Sequence, residues 1–346
     1  MSRRFVFDLT LPDWETWVKD KGFPRYRAAQ IYQWFVKGVQ DTSRMKNIPD
    51  SIRKALTEDF IVQGLTVEKE LTSGIDGTMK FIFALHDGHR VETVLMKYRH
   101  GYSVCISSQA GCKMGCAFCA SAHAGFGRDL TSGEMLGQIT VVSDIVGERI
   151  HSVVVMGIGE PFDNYDNLLA FLYAANDPAG LNLGARHITV STCGLVPQMI
   201  KFIGINLQVN LSVSLHSAND LLRRSMMPVA NSFDIDTLLD ACRQYVERTG
   251  RRITFEYSLF QGINDSIQDA RDLGSRLRGI HCHINLIAAN EFDGSQYRRS
   301  TSDRVRNFQQ TLEQMGMTVT LRREMGSDIM AACGQLRRGI QESEQK

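Results

Sequence analysis

Cys112, Cys116 and Cys119 form a C-x3-C-x2-C run, three thiols within eight residues and no fourth cysteine close by. Thiolates are soft ligands, so a run this dense points to metal. Iron–sulfur clusters ordinarily take four thiolates. A loop that supplies three leaves one iron open, and an open position is what separates a catalytic metal from a structural one. Two other readings fit the spacing. His123 would complete a tetrahedral zinc set, C-x3-C-x2-C-x3-H, although structural zinc sites usually draw their ligands from two separated knuckles. Core cysteines also cluster by chance, but Gly111 and Gly115, beside and between the thiols, describe a bent loop. A disulfide framework does not fit a 346-residue chain with eight scattered cysteines and no apolar leader over Met1 to Asp8.

Such a loop needs a scaffold, and the chain from about residue 101 supplies one. Strand-like runs fall near 103–108, 152–157, 187–192, 208–215, 253–260 and 283–289. Helical stretches near 131–147, 165–176, 197–204, 234–249 and 265–278 separate them, and another follows near 301–316. Repeated β–α units make a parallel sheet with helices outside. Six units are short of an eight-stranded barrel and suit an open partial barrel or a flat doubly wound sheet. On either, ligands bind at the carboxyl ends of the strands, and polar residues collect there. The cysteine loop follows the first strand and Gly159-Glu160 the second; Ser191-Thr192-Cys193 closes the third, Ser214-Leu215-His216 the fourth, and Asn290 follows the sixth. Met156-Gly157-Ile158-Gly159 lacks the third glycine of a dinucleotide fingerprint, so its glycines read as points of close backbone approach.

Upstream, Trp14, Trp17 and Val18 fall at helical spacing, Tyr26 to Lys37 forms a second helical face, and Asp50-Ser51 after Pro49 starts a third helix. All three tryptophans lie in this region, as filler for a small helical core. Residues 62–99 read as short strands with turns at 74–77 and 86–88, and Glu92 lies in the last strand. The expected division is a helical unit at 1–60, a β extension at 61–100, a barrel at 101–316, and a terminal strand with a cysteine loop at 317–346.

Together these motifs resemble a known family. The cysteine run, with Phe118 before its last thiol, resembles the loop of the radical S-adenosylmethionine (SAM) superfamily. There the open iron binds the amino and carboxylate groups of SAM, and reductive cleavage yields a 5′-deoxyadenosyl radical. Ser107-Ser108-Gln109-Ala110-Gly111-Cys112, Met156-Gly157-Ile158-Gly159-Glu160-Pro161, Ser214-Leu215-His216 and Ala331-Ala332-Cys333-Gly334-Gln335-Leu336 keep their order over nearly the whole chain. They closely resemble the RlmN/Cfr family of rRNA adenine methyltransferases. The resemblance implies an α/β fold: a partial (β/α)6 radical SAM barrel with a small N-terminal helical domain and a short β extension. It implies a 4Fe-4S cluster on Cys112, Cys116 and Cys119, and SAM held by Gly159, Glu160, Ser191, Ser214, Leu215, His216 and Asn290.

The resemblance also implies the chemistry. Carbon 2 of adenine is too electron-poor to take the electrophilic methyl of SAM. One SAM therefore methylates Cys333, and the radical made from a second takes a hydrogen from that S-methyl group. The methylene radical adds to the adenine, and Glu92 matches the glutamate that takes the ring proton. Cys105 then attacks Cys333, forming a disulfide and releasing the methylated base. Two external electrons per cycle are implied, from a flavodoxin-type donor. From the residues alone Cys105 reads as strand filler, Glu92 as a surface carboxylate, and Cys242 and Cys282 as buried small hydrophobes.

Gln109-Ala110-Gly111 and Gly159-Glu160-Pro161 resemble the RlmN type, which methylates carbon 2. The Cfr type, which methylates carbon 8 of the same adenosine, tends toward a cysteine at the Ala110 position and lacks Pro161. Three positions depart from the family pattern: Met330 stands for an aspartate, Cys193 for a serine, and Ala288-Ala289 for a step that contains proline. The implied partners are 23S rRNA and tRNA, the latter at adenosine 37. Net charge, +1, argues neither way, though residues 1–60 carry 11 Lys/Arg against 8 Asp/Glu. Arginine pairs at Arg3-Arg4, Arg223-Arg224, Arg251-Arg252, Arg298-Arg299, Arg322-Arg323 and Arg337-Arg338 suit phosphate oxygens, although from the residues alone they read as surface arginines that solvate helix and strand ends. No run of about 18 apolar residues is present, so no membrane span is expected, and a cytoplasmic monomer is. Two rivals remain. One is a radical SAM protein with another substrate, in which Cys333 is dispensable; the other is a non-catalytic RNA-binding module that holds zinc.

Overall fold

A computed structural model of the chain describes residues 3–123, 125–290, 295–332 and 334–336. The N-terminal helices are α1 (Leu11–Asp20), α2 (Tyr26–Val36) and α3 (Asp50–Asp59). A capping box starts α1, with Thr10 and Asp13 each accepting the other's backbone N–H. Trp14 is fully buried and stacks on Phe35 at 5.3 Å. Trp17 and Trp34, half-buried, donate their indole N–H groups to Asp59 and Asn47. The tryptophans fill this small core, as the helical spacing predicts.

Strands β1 (Leu65–Thr72), β2 (Met79–Leu85) and β3 (Arg90–Tyr98) form an antiparallel meander. Its last strand pairs with the first barrel strand, β4 (Gly101–Ile106), placing Val94 opposite Cys105. The extension therefore continues the barrel sheet. A two-stranded ribbon follows, β5 (Gln109–Gly111) with β6 (Phe126–Asp129), enclosing the short helix α4 (Ala120–His123). Next come α5 (Ser132–Val146), β7 (Ile150–Val155), α6 (Tyr165–Asn176), β8 (Ile188–Thr192) and α7 (Val196–Ile203). The chain continues through β9 (Asn210–Ser214), α8 (Asp220–Met226), α9 (Ile235–Thr249) and β10 (Ile253–Leu259). It ends its described course with α10 (Ile267–Arg276), β11 (Cys282–Ala288), α11 (Ser302–Gln314) and β12 (Val319–Leu321).

Strands β4, β7, β8, β9, β10, β11 and β12 are parallel neighbours in that order. Among the described residues they join the meander in one ten-stranded sheet. Six β–α units, followed by β12, make the partial (β/α)6 barrel that the resemblance implies. The ribbon and α8 escape periodicity because elements of three, four and seven residues are too short to show it.

One core runs from Phe5 to Leu312 and joins the N-terminal helices to the barrel. Asp8 accepts the N–H of Gly133 at 2.6 Å, capping α5, and Arg44 pairs with Asp144 on the same helix at 2.6 Å. A smaller cluster, including Met96, Cys105, Met325, Ala331 and Leu336, packs the extension against the C-terminal loop.

Candidate active site

The cysteine loop is the tip of the β5–β6 ribbon. Arg128 on β6 holds the base: its guanidinium makes two 2.7 Å bonds to the Glu134 carboxylate and also pairs with Asp87. Glu134 is the third residue of α5 and completes a capping box with Thr131. One carboxylate thus caps α5 and anchors the ribbon. Cys112, Cys116 and Cys119 border a single cavity with Met114 and Phe118. Burial pushes the Cys112 thiol up to about 12 and the Cys116 thiol well above its ordinary value, and the neighbouring thiols add to both. Thiols this reluctant to ionise become ligands when a cationic metal centre displaces their protons.

Among the described residues no three His, Cys, Asp or Glu side chains converge as one metal ion requires. His123 turns Nε2 toward the Ala117 carbonyl, 3.4 Å away. The three thiols bordering one volume are the kind of donor that iron–sulfur clusters take.

The facing wall is built on Gly159. Its φ is 111°, and a Cβ there would lie 2.7 Å from both Gln109 Cβ and Ser108 Oγ, so only glycine lets this turn approach the ribbon. Gln109 accepts the N–H of Glu160 at 2.8 Å and donates to Asp129 and Asp163. The Glu160 carboxylate accepts the N–H groups of Phe162 (3.0 Å) and Cys193 (2.7 Å). Burial raises its pKa, and these bonds pull it back. The backbone donor at Cys193 does not depend on the side chain, so cysteine in place of serine leaves that bond intact.

Ser191, Ser214, His216 and Asn290 border the same cavity. His216 has a φ of 56° and packs edge-on against Phe118 at 4.8 Å. Its Nδ1 accepts the N–H of Ser258 at 2.9 Å, which leaves the ring proton on Nε2. Burial drops its pKa to about 3, so the ring is neutral. Leu215 is fully buried in the main core, with its N–H donated to the Glu256 carbonyl and its own carbonyl accepting Arg223 Nε.

Two groups here have roles that their sequence context did not show. Arg223, fully buried on α8, donates to the carbonyls of Cys193 (2.7 Å) and Ser214 (3.3 Å) and so staples the ends of β8 and β9. Phosphate contact, the expectation for the Arg223-Arg224 pair, is closed to it. Glu256, on β10, borders the cavity while accepting from Ser212 and Asn285. Its readable sign is a carboxylate inside the apolar strand Ile253–Leu259.

Cys105 borders a chamber that adjoins the cysteine cavity. Met156, Asn290 and Arg322 border both spaces. Cys333 lies outside the described residues, but its neighbours straddle the boundary. Gly334 borders the cysteine cavity, and Ala331, Ala332 and Leu336 border the Cys105 chamber. The loop is tied to α4: Gly334 O accepts the Ala120 N–H at 2.9 Å, and Leu336 O accepts Ser121 Oγ at 2.7 Å. Glu92 is buried on β3, with Lys80 Nζ 3.5 Å from its carboxylate, and is no surface group. A larger cavity, about 580 Å³, lies between the N-terminal helices and α5–α6. It has no thiol in its lining, so size alone does not locate the site.

Residues 106–274 match the radical SAM superfamily, and residues 6–62 match the ribosomal RNA large subunit methyltransferase N-terminal domain. A protein of Alkaliphilus oremlandii (strain OhILAs), named "Probable dual-specificity RNA methyltransferase RlmN", is 48% identical over 338 residues, 98% of each chain. One of the same name from Clostridium botulinum (strain Alaska E43 / Type E3) is 48% identical over 96% of each. The crystal structure of a radical SAM methyltransferase from Sphaerobacter thermophilus superposes with a TM-score of 0.94 at 41% identity, covering 97% of this chain and 99% of that one.

Proposed function

The chain belongs to the RlmN family of radical SAM methyltransferases, and from that membership we propose that it methylates carbon 2 of adenosine in 23S rRNA, at the peptidyl-transferase centre, and adenosine 37 of tRNA, through a methyl group carried on Cys333. The observation that carries this reading is the meeting of two chambers at one loop. The three-cysteine cavity and the Cys105 chamber share Met156, Asn290 and Arg322, and residues flanking position 333 border both.

The cofactors are a 4Fe-4S cluster and SAM. When bound, they supply the 5′-deoxyadenosyl radical. Cys112, Cys116 and Cys119 would hold the cluster. Glu160, buried and aimed by two backbone N–H groups, would accept hydrogen bonds from the SAM ammonium. The neutral His216 offers a fixed Nε2–H donor, and Ser191, Ser214 and Asn290 complete the polar set. Met114, Phe118, Met227 and Phe260 keep the cavity apolar and exclude water from a reactive species.

Glu92, buried on β3, would take the ring proton, and Cys105, which borders the adjoining chamber, would release the base by attacking Cys333. The nearness of Cys105 to the residues flanking position 333 supports this division of labour. The N-terminal helical unit, with its small cationic excess, would bear on the RNA. A flavodoxin-type protein would supply electrons to a monomeric, cytoplasmic enzyme. Among the described residues no helix is long and apolar enough to cross a membrane.

The test is anaerobic. Reconstituted enzyme, SAM, reductant and unmethylated 23S rRNA or tRNA should yield 2-methyladenosine by mass spectrometry, and Cys333→Ala should abolish it. Finding 8-methyladenosine would move the enzyme to the Cfr type. SAM cleavage by the wild type without a methylated base would overturn the substrate.

A further inference from the structure

The loop that carries position 333 is fastened to the β extension as well as to α4. Asp76 accepts the N–H of Gly326 at 3.0 Å, and Asp328 accepts the N–H of Gly74 at 2.9 Å. The Lys80 ammonium donates to the Met330 carbonyl at 3.1 Å. Met330 has a φ of 52°, a left-handed conformation that aspartate or asparagine holds more readily than methionine. The loop is therefore bent against local preference at the residue Lys80 grips.

Lys80 is only 6% exposed, and its second partner is Glu92, with Nζ 3.5 Å from Oε2. Strand register brings them together. Lys80 and Ile82 share one face of β2; Ile82 lies opposite Glu92, Lys80 opposite Val94, and Val94 opposite Cys105. An ammonium, a carboxylate and a thiol thus stand on one face of three adjacent strands. The residues beside position 333 pack onto that face. A buried ammonium is costly unless paired, and an apolar side chain would fill a purely structural position at lower cost. The lysine does what no apolar residue can: one cation holds both the carboxylate and the loop.

We propose that Lys80 is a positioning residue for the methyl transfer, aiming the Glu92 carboxylate and seating the Cys333 loop through the Met330 carbonyl. Proton acceptor and methyl-bearing thiol then reach the adenine in one fixed relation. Lys80 itself neither gives nor takes a proton. The inference rests on the roles of Glu92 and Cys333 proposed above.

Holoenzymes carrying Lys80→Met, Lys80→Gln, Lys80→Arg and Glu92→Gln test it by three readouts. These are methylation of Cys333 by peptide mass, 5′-deoxyadenosine formed, and protein–RNA adduct on denaturing gels. Lys80→Met should keep Cys333 methylation and SAM cleavage, because the Asp76 and Asp328 ties remain. Its kcat should fall about 100-fold, the cost of an ångström-scale misplacement, with KM for RNA within about twofold. Adduct should accumulate as in Glu92→Gln, and Lys80→Arg should recover turnover. If Lys80→Met does not fold, Lys80→Gln decides, since its amide keeps N–H donors without the charge, on a side chain one atom shorter. Wild-type adduct resolution in either folded neutral variant overturns the proposal, as does loss of Cys333 methylation together with SAM cleavage. Wild-type enzyme that cleaves SAM and makes no methyladenosine sinks the underlying function instead, whatever Lys80 does.

Discussion

His216 shows how one side chain serves site and stability together. Its ring is fixed by the Ser258 N–H and kept neutral by burial, with its pKa dropped to about 3. In the unfolded chain it titrates normally, near 6.5. Below that value the unfolded state binds a proton that the folded state refuses, so the contribution is complete above pH 6.5 and is lost as pH falls toward 3. Between pH 7.5 and 5.5 the wild type should lose about 1.4 kcal/mol that His216→Asn retains, read as the difference between their urea curves. Asparagine is the suitable replacement because it tolerates φ near 56° and keeps an acceptor for the Ser258 N–H. Gly159 answers to a harder constraint. Gly159→Ala adds a Cβ at a φ of 111° against Gln109 and Ser108, and should cost about 1–3 kcal/mol. Equilibrium dialysis should also show weaker SAM binding, because the same turn aims Glu160.

At the level of elements, the ribbon is the device that gives the cysteine loop a rigid root. Glu134 is almost fully buried, and Arg128 is its bidentate partner. Arg128→Met leaves that carboxylate without its guanidinium, at a cost of about 3–5 kcal/mol. Iron and sulfide retained per chain should fall along with the urea midpoint. Full cluster retention in a destabilised variant would show that the root does not matter to the loop. The ribbon is also where local sequence ran out, since strands of three and four residues carry no period. By contrast, β10 was expected over 253–260 and runs Ile253–Leu259, and α9 was expected over 234–249 and runs Ile235–Thr249. Those elements are legible because long apolar strands and amphipathic helices declare themselves within one segment. Partner choice does not. Nothing in Arg90–Tyr98 alone says that β3 will pair with β4 and carry Glu92 beside the barrel. The site follows the same division: the cysteines, Glu160, Ser214 and His216 stood in readable motifs. Lys80 and Glu256 showed only as charges among apolar neighbours and Arg223 only as half of an arginine pair, and their roles come from residues elsewhere in the chain.

For the whole molecule, the shared core from Phe5 to Leu312 makes the N-terminal helices part of the barrel's support. Heating the full chain should give one calorimetric transition, and a chain starting near residue 61 should not reproduce the barrel's transition, because α5 would lose its cap from Asp8 and its cover from Phe7. Two separated transitions would show instead that the helices fold alone. The ties that seat the Cys333 loop join residues very distant along the chain, with Ser121 and Leu336 separated by 215 positions. At about 5–20 residues per second of synthesis, that separation is a delay of about 10–40 s. During it the ribbon and its three thiols have left the ribosome and the segment that will fold over them does not yet exist. The order of residues along the chain therefore sets an order in time: the three thiols are made well before the segment that borders their cavity at Gly334 and bonds α4.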